Sequence, residues 1–161
     1  MSSQVLSTQA VDTQRVEVSW VRFLRAHAAV TRELSARLEA AHGLTLSDFD
    51  VLVQLYHAPE RSLRRVDIAR AVLLTASGIT RLLDGLERAG WVEKRACSSD
   101  ARVSYAALTD AGARKFEEAQ SSHRADIEEL FGSRYSADER EQLAELLGRL
   151  PLADTAEACS S

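Results

Sequence analysis

The chain has 161 residues, a net charge of −4, 45% hydrophobic residues and 27% charged residues. That length suits one domain, or one domain with helical extensions, and is too short for a barrel enzyme with a second domain; the composition excludes a disordered or fibrous chain. Apolar runs stay below the roughly 18 residues that span a bilayer, the first residues show neither a basic start nor an apolar stretch, and Cys97 and Cys159 make no disulfide framework, so a soluble, cytoplasmic protein is expected.

Proline occurs only at Pro59 and Pro151 and glycine is sparse, which predicts a mostly helical fold. Residues 1–14 are expected as a flexible N-terminus. From Val16 the positions Val16, Trp20, Phe23, His27, Val30, Leu34, Leu38 and Ala41 recur at helical spacing, a stripe of about seven turns that His42-Gly43 ends, with glycine as the left-handed cap. Thr45 to Asp48 opens a second helix carrying Phe49, Leu52, Val53 and Tyr56, stopped at Pro59. A third is expected over 65–72. Thr75-Ala76-Ser77 caps a fourth, in which Ile79, Leu82, Leu83 and Leu86 form one apolar stripe that Gly90 ends. Two extended runs, 91–95 and 103–108, flank the polar Cys97 to Asp100 and predict a β-hairpin with a long loop. Thr109 to Gly112 starts a long helix to about Gly132, and Ser136 to Glu139 has the form of a capping box for a last helix through Leu150. Residues 153–161 are expected as a flexible tail.

Two short helices, a turn, a further helix and a hairpin follow the order of a winged helix-turn-helix, here over 45–109. Its fourth helix turns Ser77, Thr80, Arg81, Asp84 and Arg88 away from the apolar stripe. The first of these stand at the helix N-terminus, where backbone N–H groups favour phosphate and short polar side chains approach base edges. Charge supports such a role. Residues 61–102 hold nine basic and five acidic groups, a net +4 on an otherwise acidic chain, so a basic patch faces phosphates across a short Debye length.

The run from Leu74 to Arg95, with Asp100-Ala101-Arg102, the strand to Leu108 and Thr109-Asp110-Ala111-Gly112, resembles the recognition helix, wing and following helix start of the MarR family of bacterial transcription regulators. The resemblance implies a mostly α fold with a small β-hairpin wing, and a homodimer whose dimerisation helices are 15–44 and 110–152. It implies a regulator, a repressor by expectation, that binds a pseudo-palindromic double-stranded DNA operator without any cofactor. Ser77, Thr80 and Arg81 would read the major groove. Arg102 would enter the minor groove with Asp100 holding its guanidinium, and Arg95, Arg65 and Arg88 would lie near phosphates. Gly85 departs from the pattern, since a longer polar or basic side chain is expected there and glycine disfavours helix by about 1 kcal/mol; close packing or a locally flexible C-terminal half would account for it.

Members of this family are often released from DNA by a small aromatic or phenolic acid. Trp20, Phe23 and His27 on one stripe, Arg22 and Arg25 beside it, and Tyr56 at the end of the second helix form a candidate effector wall. An aromatic stripe at this spacing is also the ordinary composition of a core. Peroxide-sensing members use a cysteine in the first long helix, which this chain lacks. Cys97 falls instead in the wing beside Lys94 and Arg95, which lower a thiol pKa, so a redox-responsive regulator is one alternative. A winged-helix module that binds protein is another. No enzyme is expected: there is no nucleophile elbow, zinc-protease motif or phosphate-cradling loop, and His27, His42, His57 and His123 have no metal-ligand spacing.

Overall fold

The computed structural model describes the backbone of residues 2–72, 76–96 and 103–150. The helical periodicities become α1 (Ser2–His42), α2 (Leu46–His57), α3 (Arg65–Ala71), α4 (Ala76–Arg88), α5 (Asp110–Leu130) and α6 (Ala137–Leu147). Three strands accompany them, β1 (Ser62–Arg64), β2 (Val92–Ala96) and β3 (Ser104–Leu108). The helix boundaries have local causes. Thr45 and Ser136 both form full capping boxes, with Asp48 and Glu139 reaching back to the cap N–H. Gly43 and Gly90 end α1 and α4 in the left-handed region, at φ 65° and 75°.

Two boundaries differ from expectation. The backbone of 2–14 continues α1 upstream of the apolar stripe, where a flexible start is expected; neither glycine nor proline interrupts that stretch. The last helix stops at Leu147 rather than Leu150, with Gly148 at its C-cap.

The sheet is antiparallel in the order β1-β3-β2. The expected hairpin is β2 and β3, with Val92 opposite Leu108 and Ala96 opposite Ser104. The third strand, β1, was not expected. It pairs Ser62 with Ala107 on the other edge of β3, after Glu60 and Arg61 turn the chain with φ near +50° in a short 3-10 segment. Left-handed backbone at two consecutive non-glycine residues is uncommon, so residue type gave no sign of this turn.

The core joins the C-terminal end of α1 to α2, α3, α4, α5 and the sheet through Leu38, Leu52, Leu55, Ile68, Leu83 and Phe116, all essentially buried. One ion cluster ties α1 to α5. Arg37 donates to Glu33 at 3.0 Å, to Asp126 at 2.8 Å and to both oxygens of Glu129 at 2.9 and 3.0 Å. These bonds hold the guanidinium well above its ordinary pKa and the Glu129 carboxyl below its own.

A second junction ties the wing to α5. The Thr109 hydroxyl donates to the Gly90 carbonyl at 2.7 Å and accepts from Gly112 N–H at 3.0 Å, while Thr109 N–H donates to the Trp91 carbonyl at 3.1 Å. Gly112 lies so close to that carbonyl that a Cβ would collide with the Trp91 oxygen. Among the described residues no helix is long and apolar enough to cross a membrane.

Candidate nucleic-acid interface

Helix α4 is positioned by its apolar face. Ile79, Leu83 and Leu86 are buried and Leu82 packs partly against the core, which leaves Thr80, Arg81, Asp84 and Arg88 exposed, as the periodicity predicts. With Glu87 these residues line a groove of about 910 Å³ on the outer surface. Ser77 stands one residue inside α4 and belongs to the same face by its spacing; its side chain lies outside the described residues. Asp100, Arg102 and Cys97 fall in the hairpin loop, also outside them.

The groove mixes signs. Arg81 and Arg88 oppose Asp84 and Glu87 along the same face, and Arg88 Nε donates to the Asp84 carbonyl at 3.1 Å. One Glu87 oxygen, Oε1, is buried without a hydrogen-bond partner. Asp84 and Glu87 were not among the residues expected to contact nucleic acid, although Asp84 was legible as lying off the apolar stripe. Arg95, on β2, is exposed and its Nη2 lies 2.8 Å from Glu93.

Arg65 differs from the exposed clamp that its sequence position suggests. It is the first residue of α3, its side chain is only 20% exposed, and Nη2 lies 3.5 Å from Asp84 Oδ1 on α4. That Nη2 is buried and makes no hydrogen bond. Arg64, its neighbour, donates to Asp67 from Nε at 2.6 Å and from Nη2 at 3.2 Å.

The candidate effector residues separate into two places within the protomer. Trp20, Phe23 and His27 form a row along α1, with ring centroids 6.0 and 6.4 Å apart, and Arg22 and Arg25 are exposed beside it. Tyr56 lies elsewhere: its ring is 4.5 Å from Phe116 and its hydroxyl donates to Glu117 on α5 at 2.8 Å, which raises its pKa. Near this part of α5 its partner on α1 is the C-terminal end, where His42 lies 2.7 Å from Ser122, and His27 is about 22 Å further up the helix at 1.5 Å per residue. A stripe on one helix does not fix which end of its neighbour it reaches.

A separate cavity of about 370 Å³ lies between α2 and α5, lined by Leu46, Ser47, Phe49, Asp50, Val53 and His123. Burial raises the Asp50 pKa and lowers that of His123.

Known proteins share this arrangement. A sequence profile of the MarR family matches residues 42–103, which cover α2, α3, α4 and β2. The uncharacterized HTH-type transcriptional regulator YdgJ of Bacillus subtilis is 31% identical over 75% of this chain and 72% of its own. The HTH-type transcriptional repressor YetL of the same organism is 32% identical over 69% of this chain and 66% of its own. Among solved structures, Sco3205, a MarR family transcriptional regulator from Streptomyces coelicolor crystallised in complex with DNA, is 25% identical and superposes with a TM-score of 0.78 over 82% of either chain.

Proposed function

The chain belongs to the MarR family of transcriptional regulators, and from that premise we propose that it represses transcription as a homodimer bound to a pseudo-palindromic operator. The observation that carries this reading is the outward face of α4. An amphipathic helix that buries Ile79, Leu83 and Leu86 offers Thr80, Arg81 and Arg88 at a surface groove, the presentation that major-groove reading requires. The DNA complex of Sco3205 supports duplex DNA as the partner, and the name of YetL supports repression.

In this reading Ser77, Thr80 and Arg81 contact base edges, Arg88 and Arg95 lie near phosphates, and Arg102 with Asp100 serves the minor groove from the wing tip. The dimer is supported by apolar surface that a lone protomer leaves open. Trp20 is 57% and Leu146 46% exposed, and α6 buries none of its residues. Two-fold pairing through α1 and α6 would set the two α4 helices about 34 Å apart, one turn of duplex, or a small multiple of it.

The Trp20, Phe23 and His27 row, with Arg22 and Arg25 beside it, supports release by a small aromatic or phenolic acid held between the protomers, ring against ring and carboxylate against guanidinium. A thermal-shift screen of aromatic acids tests this, with loss of the response in Arg22→Ala or Arg25→Ala as the expected result.

The decisive experiment is capture of genomic fragments by the purified protein, followed by titration of a recovered site at several salt concentrations. The expected result is one recurrent inverted repeat whose affinity falls steeply with salt and weakens in Arg102→Ala. A salt-insensitive association with protein and no retarded duplex would establish the winged-helix protein-binding module instead.

A further inference from the structure

We infer that Asp84 is a specificity-determining residue that selects cytosine in the operator, and that Arg65 is the positioning residue that orients it. The inference rests on the DNA-binding reading above. On the outer face of α4, Asp84 stands between Arg81 and Arg88, and its side chain is 54% exposed at the groove. A carboxylate brought to duplex DNA repels phosphates and weakens binding unless a hydrogen-bond donor meets it. In the major groove guanine offers the acceptors N7 and O6, and thymine the acceptor O4. Adenine sets its amino donor beside the acceptor N7. Cytosine presents its N4 amino group alone, and a carboxylate on a reading helix accepts from it.

What separates Asp84 from an idle surface carboxylate is its partner. Arg65 reaches across from the first residue of α3 and sets Nη2 3.5 Å from Oδ1, an ion pair without a hydrogen bond, while its own side chain is largely covered. A guanidinium so placed draws the carboxylate toward α3 by charge before DNA arrives, and that charge faces Asp84 rather than a phosphate. Glu87 lies one helical turn on and lines the same groove, with one carboxylate oxygen, Oε1, buried.

The test uses the full chain and its operator as recovered from a randomised duplex pool. Each base pair is then substituted in turn and titrated with wild type, Asp84→Ala, Asp84→Asn, Arg65→Ala and Arg65→Lys. Wild type should lose roughly 5- to 150-fold affinity when one cytosine per half-site is replaced. Asp84→Ala should lose that discrimination alone and bind random duplex more tightly. Asp84→Asn, close to isosteric, should shift the preferred base toward adenine, the partner of an amide. Arg65→Ala should blur the same base pair and Arg65→Lys should restore part of it.

Unchanged base preference in both Asp84 variants, or an equal loss on every sequence including random duplex, overturns the inference; the second pattern marks a structural tie between α3 and α4. Uniform weakening by Arg65→Ala with a shallower salt dependence makes Arg65 a phosphate clamp and overturns its positioning role. If wild type retards no duplex at all, the DNA-binding reading fails and takes the inference with it, whereas sequence-selective binding indifferent to Asp84 removes the inference alone.

Discussion

At Gly112 a single methyl group decides whether the wing and α5 can meet. The colliding atom is the Trp91 backbone oxygen, which cannot swing aside as a flexible side chain would. Gly112→Ala should therefore cost about 1–3 kcal/mol, in the range of overpacking, and lower the melting temperature. Gly85 gives the opposite expectation. A Cβ there meets nothing within 4 Å, so close packing does not account for this glycine. Gly85→Ala should stabilise α4 by about 0.5–1 kcal/mol and raise the melting temperature by a few degrees. Paired thermal melts check both.

His123 supplies a pH dependence. It is 8% exposed with its ring 4.6 Å from Phe49, and burial lowers its pKa below 6.5, against a partly opposing pull from Asp126. The unfolded chain therefore takes the proton first on acidification. The contribution to stability is complete above the unfolded value and is lost as pH falls through it toward the lower folded value. The melting temperature should drop from about pH 7.5 to about pH 5.5, and His123→Leu should flatten that slope. An equal slope in both proteins would assign the dependence to other groups.

Among the elements, the proposed DNA-binding reading gives α4 and β2 separable contributions. Arg81→Ala should change which base is preferred at one position, whereas Arg95→Ala, on the wing strand, should weaken all sequences alike and reduce the salt slope by about 1. Titrations on specific and random duplex distinguish the two. The stripe of α4 was legible because burial of Ile79, Leu83 and Leu86 repeats at the helical period and so fixes the outward side. The caps at Thr45, Thr109 and Ser136 were legible because capping chemistry is local. Strand β1 was not: three residues carry no alternation to count, and a turn built at Glu60 and Arg61 uses residue types that favour other conformations. The pairing of Arg65 with Asp84 was hidden for a different reason. It crosses from α3 to α4 and depends on how two helices pack, which neither periodicity records. The packing of Tyr56 was hidden on the same ground: within the protomer it meets Phe116 and Glu117 on α5.

The whole molecule divides into a closed half and an open one. The lower end of α1, the α2–α4 unit and α5 close around one core, sealed at the Arg37 cluster. The upper part of α1 and all of α6 keep apolar side chains such as Val16, Leu24 and Leu146 in the open. Exposed apolar surface of this extent calls for a partner. Sedimentation at micromolar protein should give a dimer, and Leu146→Glu should shift it toward monomer while leaving the far-ultraviolet spectrum largely unchanged. A wild-type monomer would remove the proposed pairing through α1 and α6, and with it the spacing of the two α4 helices.

The Thr109 junction constrains anyone who would transplant the winged unit of this protein into another scaffold. Gly90, Trp91, Thr109 and Gly112 interlock through hydrogen bonds and a contact that admits no extra carbon. A graft with its seam between the hairpin and α5 would join halves shaped by different parents, and the misfit would fall at the root of the wing. Chimeras should therefore inherit all four residues from a single donor, with the crossover moved up α5 beyond Gly112.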